Sequence, residues 1–177
     1  MTFTSSKKVL SKIKIRDNFQ YGDLGKILTL HGEVYQKVYG FDHSFEGYVA
    51  EGLAEFALTY QQRPSRLWIA EEKEKIVGCI AILGRSNEQA QLRWFLVHPD
   101  YQGIKLGKHL FSETLNFCKN TGYKWIYLWT LDHLTAAKKI YEDNGFKMKE
   151  QKRHDLWGHH LVEEYYVLNL PETYSGK

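Results

Sequence analysis

Gln91–Gly107 reads QLRWFLVHPDYQGIKLG: strand-forming residues, a His98-Pro99 break, then a glycine-containing loop that opens directly onto a helical pattern. A strand that delivers the chain through a loop to a helix N-terminus describes an anion site. The first N–H groups of a helix lack partners, and the helix dipole is positive there. Gly103 and Gly107 permit close backbone approach, and the N–H groups of Gly103, Ile104, Lys105, Leu106, Gly107 and Lys108 are placed to converge on a pyrophosphate. This is not a Walker loop, because the G-x-x-x-x-G-K-[ST] spacing is absent. A glycine-rich turn is weak evidence alone, and a plain strand-to-helix turn stands beside it as the bland explanation.

Working outward from this stretch, the preceding chain alternates between two periods. Lys12–Arg16 (KIKIR) has the period of two of a half-buried strand, following a loose N-terminal end at residues 1–9. Leu24, Ile27, Leu28, His31, Val34, Tyr35 and Val38 fall on one helical stripe, with Asp23 as the expected cap and Gly40 as the stop. A second helix carries Phe45, Tyr48, Val49, Leu53, Phe56 and Tyr60, with Ser44 as its expected cap and Pro64 beyond its end. Three strands joined by short polar turns follow, Leu67–Ala70, Ile76–Leu83 and Ala90–Val97, predicting an antiparallel meander. After the loop come a helix over Leu106–Cys118 stopped by Gly122, a strand at Trp125–Trp129, a short helix at Leu134–Asn144, and strands at about 147–156 and 161–169. The strand–helix–strand passage predicts one parallel pair in a mixed, mostly antiparallel sheet flanked by about four helices.

The composition sets the class. With 177 residues, 43% hydrophobic and 25% charged, the chain suits one soluble domain with a real core. A net charge of +3 without a basic block gives no reason to expect nucleic acid. No apolar run is long enough for a membrane span or a signal peptide, so the cytoplasm is the default expectation. Cys79 and Cys118 have no ligand-like spacing and read as small core residues. His159-His160 are adjacent on a strand and point to opposite faces, so no metal is assigned.

A second signal lies downstream, AAKKIYEDNGF at residues 136–146. HPDYQGIKLGKHL followed by AAKKIYEDNGF, in this strand and helix order, resembles the GNAT superfamily of acetyl-coenzyme A-dependent N-acetyltransferases. GDLGKILTLHGEVYQKVYGFDHSFEGYVA, LRWFLVHP, LWT and HDLWGHHLVEEYYVLNL resemble the catalytic domain of the subgroup often fused behind a MarR-type helix-turn-helix domain. No such second domain is expected within 177 residues, so the chain reads as a stand-alone catalytic unit.

The resemblance implies the GNAT fold, with a sheet that splays between its fourth and fifth strands. It implies acetyl-CoA as co-substrate, with pantetheine along Leu96, Val97 and His98 and pyrophosphate on residues 102–108, from Gln102 to Lys108. Lys105 stands where the family pattern usually has its first glycine. Either it is strained at positive φ, or it sits in an ordinary conformation and adds its ammonium to the phosphate site, which is the expected case. By resemblance Tyr141 is the general acid for the leaving thiolate, although its position on a helix stripe also suits a core aromatic.

An amine with a pKa near ~10 must lose a proton before attack. Many family members place a Glu on the fourth strand for this, but the matching position here is Gln91. Glu33, His31 or Glu46 are the candidates to act through water. Tyr35, Tyr39, Tyr48, Arg93 and Trp129 are the candidate acceptor-site residues. The expected activity is acetyl transfer to a primary amine of a small molecule or peptide, with the assembly open between monomer and homodimer. The rivals are a different acyl donor, a non-amine acceptor, or a coenzyme A-binding sensor with little or no turnover.

Overall fold

KIVGCIAILG, the strand β3 (Lys75–Gly84), is buried along nearly its whole length, as its near-continuous apolar run demands of a strand covered on both faces. The structure is a computed structural model and describes residues 10–171. The expected loose end at residues 1–9 lies outside the described residues. Around β3 are β1 (Lys14–Arg16), β2 (Arg66–Glu72), β4 (Gln89–Val97), β5 (Trp125–Leu131), β6 (Lys147–Leu156) and β7 (His159–Asn169). They form one sheet of seven strands in the order β1-β2-β3-β4-β5-β7-β6. The pairings are antiparallel except β4 with β5, the parallel pair expected from the strand–helix–strand passage.

Helices α1 (Asp23–Tyr39) and α2 (His43–Thr59) cover one face, while α3 (Leu106–Thr121) and α4 (Thr135–Asp143) cover the other. In β2, Leu67 and Ile69 join the α1/α2 core, while Trp68 and Ala70 join the α3/α4 core. The period of two along the strand thus distributes its side chains between two cores.

Both expected helix caps are corrected. Gly22, in the left-handed region at φ 87°, precedes α1, and Asp23 is instead a buried ion-pair partner. Its carboxylate accepts from Arg16 Nη1 at 2.8 Å and Nη2 at 2.6 Å, and from the Gln20 N–H at 2.7 Å. That geometry ties β1 to the start of α1. For α2 the cap is Asp42, whose side chain accepts from the Ser44 N–H at 2.9 Å; two residues further back than expected, an Asp occupies the favoured N-cap role.

The main departure from regular pairing is a bulge in β4. Cys79 pairs with Leu96 and Ala81 with Arg93, so Trp94 and Phe95 together oppose Ile80, and Trp94 takes φ 51°. The extra residue reverses the alternation. Ala90 and Leu92 face the α3/α4 core, but Trp94 and Leu96 face the α1/α2 core.

Candidate active site

The site begins where two strands stop pairing. β4 and β5 are in register only at Gln89–Trp125, Ala90–Ile126 and Gln91–Tyr127, whereas β5 remains paired with β7 as far as Leu131–Glu163. From Leu92 onward the β5-facing edge of β4 has no strand neighbour among the described residues, and a cleft passes through the sheet there. It holds a cavity of about 120 Å³. Because the opening runs between strands, one cavity is lined by His31 and Tyr35 from α1 and by Ala137 and Tyr141 from α4 on the opposite face.

Tyr141 belongs to the α3/α4 core and also reaches the cavity. Its ring is packed among Phe95, Phe111, Phe146 and Tyr166, with centroids 5.8–6.2 Å away, and the residue is only 4% exposed. It also borders the cavity, and its hydroxyl has no hydrogen-bond partner among the described residues. Burial pushes its phenol well above the ordinary tyrosine range, with nearby Tyr35 adding to the shift. The proton therefore stays on the hydroxyl at neutral pH.

His31 borders the same cavity from the α1 side of the sheet. Its Nδ1–H donates to the Ile27 carbonyl at 2.9 Å, which leaves Nε2 as the unprotonated nitrogen of a neutral ring. Burial, opposed by that hydrogen bond and reinforced by the Arg93 charge, lowers its pKa to about 4. The ring lies parallel to Tyr35, 6.2 Å between centroids.

Gln91 also lines the cavity, and its Oε1 accepts from Arg85 Nε at 2.8 Å and Nη2 at 2.6 Å. Arg85 is in turn paired with Glu55. The amide at the position where a carboxylate was sought is thus held as a hydrogen-bond partner of a guanidinium.

The glycine loop continues the cleft. A short 3-10 turn at Pro99–Tyr101 leads into it, and α3 starts at Leu106. Lys105 has φ 70° and ψ 8°, so the expectation of an ordinary conformation is overturned. Together with Gly103 at φ 77°, it turns the backbone sharply into α3. No hydrogen-bond acceptor for the N–H groups of residues 103–108 occurs among the described residues. Six free donors at a helix start, with the exposed Lys105 and Lys108 beside them, fit a pyrophosphate.

Not every expected residue gathers here. Tyr35, Tyr48, Arg93 and Trp129 line the cavity, while Tyr39 does not, packing on His133 with centroids 5.0 Å apart. Glu33 and Glu46 are exposed and lie outside the lining. Leu96 is buried towards the α1/α2 core. Val97 and His98 already have backbone partners: Gln102 Nε2 donates to the Val97 carbonyl at 3.0 Å, and the His98 N–H donates to Val77 at 2.8 Å.

The cavity also includes Phe95, Thr130, Trp157 and Glu163, which the sequence reading did not single out. Phe95 had a legible signal: alternation in QLRWFLV gives way to a continuous apolar run after Arg93, as a bulge requires. Glu163 had only the alternation of VEEYY. That pattern separates it from Glu164, which is buried against Lys138 at 2.7 Å.

Residues 63–148 match the family model described as Acetyltransferase (GNAT) domain. Human N-acetyltransferase 8B is 27% identical over 120 residues, covering 64% of this chain and 53% of that protein. The chain thus spans about half the length of that human relative. A GNAT-family acetyltransferase from Staphylococcus aureus superimposes with a TM-score of 0.72 at 24% identity, over 90% of this chain and 99% of that one. A GNAT-family acetyltransferase from Elizabethkingia anophelis with acetyl-CoA bound gives 0.62 at 14% identity, over 90% and 99%. At these identities the solved structures establish the fold. The match at residues 63–148, on a splayed mixed sheet of seven strands, gives this chain the GNAT fold and a likeness to GNAT acetyltransferases.

Proposed function

We propose that residues 1–177 act as one N-acetyltransferase domain, moving an acetyl group from acetyl-CoA to a primary amine of a small molecule or peptide by direct attack. The observation that carries this reading is a single cleft joining two features. Free N–H groups of residues 103–108 lie at the start of α3, and the unpartnered Tyr141 hydroxyl lies where the cleft crosses the sheet. Bound there, acetyl-CoA supplies an acetyl group already activated as a thioester. The N-acetyltransferase names of the relatives and the acetyl-CoA in a solved neighbour support the choice of co-substrate.

Tyr141 holds the proton that the departing thiolate needs. His31 is the residue that receives the amine, and magnitudes define how. Moving a proton from an ammonium of pKa ~10 onto an imidazole at about 4 costs roughly 8 kcal/mol. Supplying the neutral amine from solution at pH 7 costs only about 4 kcal/mol. The amine's proton therefore leaves to water, and Nε2 of His31 accepts a hydrogen bond that orients the amine or a water beside it. Glu33, exposed and outside the cavity, has no part in this reading.

The motif likeness to the catalytic domain of the MarR-fused subgroup supports the reading of the chain as a catalytic unit. The buried, free Cys79 and Cys118, whose thiols burial pushes up to about 12, suit a reducing cytoplasm. No helix among the described residues is long and apolar enough to cross a membrane.

A second reading, a coenzyme A-binding sensor with little turnover, is favoured by Gln91, whose Oε1 is committed to Arg85 and which cannot serve as a base. Acetyl-CoA consumption against a panel of primary amines separates the two. Turnover on at least one amine is the expected result; tight coenzyme A binding with no turnover on any amine supports the sensor.

A further inference from the structure

Among the described residues, the cleft carries one cation and one anion that form no ion pair with each other. Arg93 and Glu163 both line the cavity. Glu163 Oε2 lies 3.1 Å from His154 Nε2, although not in hydrogen-bonding geometry. Arg93 has no hydrogen bond and no ion pair among the described residues. Glu55, whose carboxylate the Arg85 hydrogen bond and, more weakly, the Arg93 charge hold below its ordinary value, is paired with Arg85.

The surroundings of Arg93 are built rather than incidental. The β4 bulge places Arg93 and Trp94, adjacent in sequence, against the same face of the sheet. The guanidinium lies 5.2 Å from the Tyr48 ring centroid and 5.3 Å from that of Trp94. Gly52 of α2 makes room for it, because a Cβ there would come within 2.9 Å of Arg93 Nη2. Stacked aromatic rings hold the fork in place and leave its N–H edges for a ligand.

We propose that Arg93 binds a carboxylate of the acceptor, so that the acceptor is an amino acid or another small primary amine carrying a carboxylate. This rests on the acetyl-transfer reading of the same cleft. A guanidinium matches a carboxylate with two parallel hydrogen bonds. The Glu163 carboxylate in the same lining repels a second negative charge, so the site suits a monoanion rather than a dianionic phosphate. Of the small-molecule and peptide acceptors, the inference selects those whose carboxylate sits close to the amine.

The test uses the full chain and measures kcat/KM for acetyl transfer to phenylalanine, aspartate and β-alanine, each against its own carboxamide, with phosphoethanolamine alongside. The expected result is a preference for the carboxylate form on the order of 10–100-fold in at least one pair, the range for a charge-assisted hydrogen bond. Arg93→Met should collapse that ratio towards one, mainly through KM for the acceptor, and Arg93→Lys should restore part of it. Melting and coenzyme A binding establish that each variant is folded. Turnover of amines with no preference for the carboxylate overturns the inference and leaves acetyl transfer standing, as does a preference for phosphoethanolamine. No turnover on any amine, with coenzyme A bound, overturns both.

Discussion

His31 occupies a helix stripe like any core residue, yet it also lines the cavity. Its burial has a consequence for stability. In the folded chain the ring stays neutral down to about pH 4, whereas an unfolded chain takes the proton as the pH falls through 6.5. The unfolded state therefore binds more protons in that window. This contribution is fully present above pH 6.5 and is lost as the pH falls towards 4. Between pH 7.5 and 5 it amounts to about 2 kcal/mol. Urea denaturation at the two pH values should show His31→Gln losing about that much less than the native chain; equal losses would mean that the ring is not buried neutral. Sequence alone placed His31 on the stripe, but which nitrogen is free depends on the Ile27 carbonyl.

At the scale of elements, the strands and helices were legible because their apolar periods are clean and glycines stop α1 and α3. Two irregularities, the β4 bulge and the left-handed Lys105, were harder to read, and both shape the site. The bulge moves Trp94 and Leu96 to the α1/α2 side, a change of face that composition does not encode. Lys105 was expected in an ordinary conformation because a lysine has a Cβ and the left-handed region costs it about 1–2 kcal/mol. The tight entry from β4 into α3 outweighs that cost. Relieving it with Lys105→Gly should leave stability within about 1 kcal/mol of the native chain, the gain in the folded state offsetting the freer unfolded one. Lys105→Val should lose about 1–2 kcal/mol, since branching at Cβ makes positive φ worse. Thermal or urea unfolding of the pair checks this, and equal stabilities would contradict a left-handed residue at the start of α3.

Over the whole molecule, the proposed function depends on a place where the sheet fails to close. The motifs at residues 91–107 and 136–146 carried the resemblance that implied a splay between the fourth and fifth strands, and β4 and β5 do part after Gln91. The cavity lining was less legible. Trp157 and Glu163 come from the β6–β7 hairpin, and their arrival at the cavity follows from β7 inserting between β5 and β6 in the sheet. The opening itself results from β5 following β7 to Leu131 while leaving β4 after Gln91. It joins two otherwise separate cores, so Tyr141 from one and His31 from the other meet a common cavity. The central claim is that this opening is an acetyl-transfer site in which the Tyr141 hydroxyl delivers a proton. The most direct measurement pairs steady-state kinetics of Tyr141→Phe, on an amine the native chain acetylates, with calorimetric binding of coenzyme A. The account requires kcat to fall on the order of 10²-fold while coenzyme A affinity changes little. Undiminished kcat in a folded variant would contradict it.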